Sequence, residues 1–163
     1  MSLILILIPI LAVIAILMGG KAKSFATCAA FVNLVIGLGC IFCWKANVWD
    51  LSFEVLSKPS IHLALGFYDG MSVIMVILSV LVLFTAVMSG KCPEGREKLW
   101  YSSILLMGAG ALGAFLSTDL FFFYAFHELA LIPTFLMIGM LGSGERKEAA
   151  WKITIYLALG SII

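Results

Sequence analysis

Charge is what this sequence has least of. Of its 163 residues only 12% are Asp, Glu, Lys or Arg, against roughly 25% in a soluble domain. So few charges cannot wet a surface, which excludes a water-soluble globule. Basic patches interleaved with aromatics are absent, which removes nucleic acid as a partner. Cysteine is limited to Cys28, Cys40, Cys43 and Cys92. Cys40-x-x-Cys43 has the spacing of a redox or metal pair, but it lies in an apolar helical run with no second pair and no nearby histidine. A thioredoxin-like site needs a strand–helix setting, so these thiols read as small packing groups, and no metal site is expected. A cleaved leader is also not indicated. Residues 1–18 carry no basic residue, and Gly19-Gly20-Lys21 is a poor cleavage site.

What is present is hydrocarbon. Hydrophobic residues make up 63% of the chain and mean hydropathy is +1.17. Five apolar segments cover residues 3–18, 25–44, 71–88, 99–116 and 120–141, and a sixth opens at Ala149 and is still apolar at Ile163. A spanning helix needs ~20 such residues, so the last segment reads as cut in mid-helix. The expected fold is all-α: a single multi-pass transmembrane bundle with five full spans and the start of a sixth. Pro9 is expected to bend the first.

The connections differ in charge. Lys21 and Lys23 follow the first segment, and Lys91, Arg96 and Lys98 follow the third. Arg146, Lys147 and Lys152 surround the junction after the fifth, leaving Lys45 and Lys58 on the other side. Positively charged loops stay cytoplasmic, which puts the N-terminus outside. The long outer loop, residues 45–70, alternates Trp49, Leu51, Phe53 and Val55 with Asp50, Ser52 and Glu54. After Ser57-Lys58-Pro59-Ser60 it alternates again through Ile61, Leu63, Leu65 and Phe67. That period of two around a turn signal predicts a short β-hairpin; a loop anchored at the interface by Trp44 and Trp49 is the plainer alternative.

One residue inside the spans carries a carboxylate. Glu128 lies eight residues after Leu120, about 12 Å into a ~30 Å hydrocarbon layer. An acid is costly there and by default marks function, because it can take up a proton when isolated and release it beside a cation. The bland alternative is a structural acid held by a fixed partner. His127 is its neighbour in sequence but points ~100° away, and is either a relay partner or a packing histidine. Tyr124, one turn earlier, shares the acid's face and has a hydroxyl within reach of it. Pro133 frees the carbonyl of Leu129, making either a polar spot for water beside the acid or an ordinary tolerated proline. Lys152, the cation within the sixth segment, either snorkels to the interface or couples to a proton path. Asn33 in the second segment suits an interhelical hydrogen bond. Gly108, Gly110 and Gly113, with Ala109, Ala111 and Ala114, suit close helix packing.

Taken together, FFFYAFHELALIPTFLMIGMLGSGERKEAAWKITIYLALGS and the upstream GFYDGMSVIMVILSVLVLF resemble the antiporter-like membrane subunits of respiratory complex I. They are most similar to the subunit M, or chain 4, branch, and cover its N-terminal portion. The likeness runs from about Gly66 to Ile163; the first two helices are generic. It implies a proton-translocating subunit of NADH:quinone oxidoreductase, in a bacterial plasma membrane or equivalent energy-coupling membrane. Other complex I membrane subunits would be its partners. It also implies that Glu128 stands at the family's helix-five glutamate, with Lys152 matching a lysine near the start of helix six. The family commonly has tryptophan where this chain has His127, and its members carry further helices, one holding the lysine that pairs with the acid. With no G-x-G-x-x-G after a strand and no cysteine quartet, NADH, flavin, iron–sulfur clusters and quinone belong to partner subunits. Two alternatives stand beside this one: a subunit of a multi-chain cation/proton antiporter, and a truncated, inert membrane fragment.

Overall fold

The computed structural model describes residues 2–43, 51–57, 60–67, 70–90, 92–93 and 95–162. Trp44, Trp49, Lys45, Lys58 and Lys91 lie outside the described residues, as do the side chains of Cys40 and Cys43. Among the described residues six helices form: α1 (Ser2–Leu17), α2 (Ala22–Cys43), α3 (Gly70–Ser89), α4 (Glu97–Leu116), α5 (Leu120–Leu141) and α6 (Arg146–Ile162). Apolar chain in lipid must satisfy its own backbone, and the helix does so within one segment.

Among the described residues four helices, α2 to α5, are long and apolar enough to cross a membrane; α1 is apolar but has only 16 residues. The count of five full spans is therefore not reached on length alone. Several helices also outrun the apolar segments. The second begins at Ala22 and the sixth at Arg146, because hydropathy marks the hydrocarbon layer while hydrogen bonding continues past it. In α6, Glu148 sits in the first turn, where the helix dipole favours an acid. Pro9 lies inside an uninterrupted α1.

Between α2 and α3, strands β1 (Leu51–Ser57) and β2 (Ser60–Leu65) pair antiparallel. Leu51 faces Leu65 and Phe53 faces Leu63, but an irregularity between Glu54 and Leu56 brings Leu56, rather than Val55, opposite Ile61. An extra residue of this kind breaks a strict period of two.

α4 is the hub, packing against α5, α1, α3 and α2. At one end of the bundle, Ser2 Oγ donates to the Leu65 carbonyl (2.9 Å) and the Gly66 amide to the Leu116 carbonyl (3.0 Å). These bonds tie β2 to the start of α1 and the end of α4. Leu5, Ile6, Leu65, Val76, Val80 and Leu112 fill the core beneath. At the opposite end, Arg96 and Arg146 both donate from Nη1 to the Met140 carbonyl, Arg146 at 3.3 Å. Two basic loops thus converge on the last turn of α5, where unpaired carbonyls favour cations. Three serine and threonine hydroxyls within the helices return to their own helix. Ser79 donates to Met75, Ser89 to Thr85 and Thr154 to Ala150, which removes the cost of an unmet donor in an apolar setting.

The α3–α4 loop also carries a probe of this end. The Cys92 thiol is pushed above its ordinary range, first by burial and then by the negative charge of Glu97. A raised thiol is less ionised at a given pH, and the thiolate is the reactive form. Maleimide labelling of Cys92 is therefore expected to be slow near neutral pH and to quicken as pH rises. Glu97→Gln is expected to lower the thiol's pKa and speed labelling at fixed pH. Unchanged rates in Glu97→Gln would remove the electrostatic part of this account.

Candidate functional site on the fifth helix

α5 is held in a fixed rotation. Asp119 caps its first turn, accepting from the Phe121 amide at 2.8 Å. Against α4 the backbones come close. A Cβ on Gly110 would lie 2.8 Å from the Phe126 carbonyl oxygen and 3.0 Å from Ala130, and one on Gly113 would overlap the Phe126 ring. Phe126 and Ala130 therefore form the face turned to α4. Glu128, two residues from each, lies ~200° round the helix from both. The acid is directed away from the bundle's core.

Two hollows lie on that side of α5. Glu128 is half-buried and borders both. One, of about 470 Å³, is lined with Leu120, Phe121, Tyr124 and Ala125. The other, of about 260 Å³, is lined with Leu131, Ile132 and Phe135 and, from α6, Trp151 and Thr154. Each can admit water-sized groups to the carboxylate. Beyond them α5 is largely uncovered: Pro133 is its buried residue, while Leu120, Phe121, Ile132 and Met140 are exposed.

The other sequence candidates distribute unevenly. Tyr124 lines the first hollow with Glu128, but its buried hydroxyl has no hydrogen-bond partner. Although the two share a face, the hydroxyl makes no hydrogen bond to the acid. His127 stacks on Phe123 with ring centroids 6.5 Å apart and planes 19° apart, and its Nδ1 is buried without a partner. It is packed, with one ring nitrogen left unsatisfied. Lys152 reaches back along α6 to Glu148, 2.6 Å away, and both side chains are more than half exposed. Pro133 is buried, and the next residue, Thr134, donates to the Ala130 carbonyl at 2.9 Å and contacts Met107 Sδ at 3.2 Å. Asn33 is fully buried with neither amide atom hydrogen-bonded, so the expected interhelical bond is not made among the described residues.

Residues 117–163, which span α5 and α6, match the family model described as NADH:quinone oxidoreductase/Mrp antiporter, TM. The chain is 35% identical over 128 residues to NAD(P)H-quinone oxidoreductase chain 4 of the Mesostigma viride chloroplast, covering 75% of this chain and 25% of that one. It is 38% identical over 103 residues to NADH-quinone oxidoreductase subunit M of Rhodobacter capsulatus, covering 63% and 20%. This chain belongs to the NADH:quinone oxidoreductase/Mrp antiporter membrane-subunit family. A chain of respiratory complex I from Thermus thermophilus superposes with a TM-score of 0.81 at 25% identity, over 99% of this chain and 33% of its own length. The chain thus spans a third or less of the length of these relatives.

The family match covers α5, which carries Glu128, and α6, which lines one of its hollows. The glycine contact that orients the acid was visible in the sequence only as packing. A small-residue stripe does not by itself say which residue of a neighbouring helix it will turn away.

Proposed function

We propose that this chain works in the proton-translocating membrane part of an NADH:quinone oxidoreductase, where quinone reduction on partner subunits drives proton movement through Glu128. The observation that carries this reading is the carboxylate's setting. It is half-buried on an apolar helix, turned from the core by the Gly110–Phe126 contact and bordered by two hollows. An acid so placed can exchange a proton with water on one side and meet a cation on another. His127, one residue away with an unpartnered nitrogen, is a further proton-holding group on α5. NADH, flavin, iron–sulfur clusters and quinone are carried by partner subunits. In this reading α1 to α5 cross an energy-coupling membrane and α6 enters it. The loops with Lys21, Arg96 and Arg146 face the cytoplasm; the N-terminus and the β1–β2 pair lie outside.

Membership of a family that also includes Mrp antiporters gives a second reading, a subunit of a multi-chain cation/proton antiporter. Affinity purification of the intact assembly from its own membrane separates the two. Co-purification of flavin and iron–sulfur absorbance, with NADH-dependent quinone reduction and proton uptake, is expected. An assembly that lacks NADH oxidation but exchanges cations for protons would overturn the respiratory reading.

A further inference from the structure

A hollow lined by none of the residues around Glu128 lies at the end where the basic loops gather. It measures about 840 Å³ and is formed by the start of α2, the end of α3 and the first residue of α4. Two exposed lysines, Lys21 and Lys23, stand at its mouth with Ser24 and Glu97, and Thr27 and Cys28 follow one turn deeper. The floor is apolar: Phe31 and Phe84, ring centroids 6.3 Å apart and tilted by 56°, with Met88 beside them. Phe31 is eight residues from Lys23, about 12 Å along the helix axis.

We propose that this hollow is a headgroup-selective site for an anionic phospholipid of the phosphatidylglycerol type. The walls match a molecule that is charged at one end and hydrocarbon at the other. Neither lysine pairs with an acid among the described residues, so both ammonium groups are free to take a phosphodiester. With Glu97 the three ionised side chains sum to +1, two lysines less one carboxylate. That balances the single negative charge of phosphatidylglycerol, whereas a zwitterionic phosphatidylethanolamine would leave the charge unmet. Glu97, Ser24 and Thr27 supply acceptors for the hydroxyls of a glycerol headgroup. The exposed faces of Phe31 (55%) and Met88 (57%) then lie along an acyl chain, and the tight turn made possible by Gly19, at φ +109°, holds the lysines over them. Basic pockets between helices on the cytoplasmic side bind anionic headgroups in this way. The site is independent of any role of Glu128 in proton transfer.

The test is lipid retention by the intact membrane assembly after detergent extraction and exchange into mixtures of phosphatidylglycerol and phosphatidylethanolamine, read by native mass spectrometry. The wild type is expected to retain phosphatidylglycerol preferentially. Each lysine contributes about fivefold to attraction for an anionic surface at low salt, so Lys21→Gln/Lys23→Gln is expected to cut the preference by more than tenfold. Phe31→Ser should weaken retention of the chain-bearing lipid without changing headgroup preference. Equal retention of the two lipids by wild type, or undiminished preference in the double lysine variant, overturns the proposal. Displacement of the lipid by millimolar inorganic phosphate would do so too, by showing an anion site with no need of a lipid.

Discussion

Glu128→Gln is expected to bring proton pumping by the assembled complex down to the leak background while the subunit still inserts and assembles. Glutamine keeps the size and the hydrogen-bonding capacity of the acid but has no proton to release. A positioned proton-transfer group contributes roughly a hundredfold or more to the rate of the step it serves, so the loss should be of that order. Fold should be spared, because Glu128 is turned away from the α4 contact and borders hollows on both sides. The measurement is acidification driven by NADH in closed vesicles, beside quinone reduction in uncoupled ones and the amount of assembled complex. Wild-type pumping in a fully assembled variant would make Glu128 a structural acid. Lys152→Gln is the comparison. Its ammonium is already answered by Glu148 at 2.6 Å on an exposed face of α6, a pair worth a few tenths of a kcal/mol, so pumping should persist. A loss as deep as that of Glu128→Gln would mean that the Glu148 pair opens during turnover.

The second large effect is steric. Gly110→Val is expected to separate α4 from α5 and cost assembled complex. Even an alanine Cβ at position 110 would stand 2.8 Å from a carbonyl oxygen and 3.0 Å from a backbone nitrogen, and backbone atoms cannot rotate out of the way. Overpacking a close contact costs about 1–3 kcal/mol. Lost contact along α4 and α5 should also let α5 turn, so that whatever assembles pumps poorly with Glu128 intact. Gly160→Ala on α6 is the control, since nothing lies within 4 Å of a Cβ there. Normal yield and pumping in Gly110→Val would show that the close approach does not set the acid's direction.

Much of this fold is written in hydropathy. The fifth helix runs over the same residues as its apolar segment, 120–141, and Glu128 stands out there because nothing else in the interior of the run is charged. Rotation is where the sequence falls silent. A helix that is apolar on all sides has no amphipathic stripe to say which face meets the protein, so the neighbours of Glu128 could not be read from spacing. Tyr124 shares the acid's face as the i, i+4 rule requires, yet a shared face does not make a hydrogen bond. The convergence of Arg96 and Arg146 on Met140 joins residues far apart in sequence, and a charge count sees only that both belong to the same side.

The arginine pair has a mechanical consequence. α5 is gripped at Phe126 and Ala130 by the glycines of α4, and again at Met140 by two guanidinium groups. Between these grips lies Pro133, where the ring deletes one rung of the helical ladder. A rod clamped at two points and notched between them flexes at the notch. The missing rung falls at the Leu129 carbonyl, one residue from Glu128, so any bend of α5 at the notch re-aims the carboxylate.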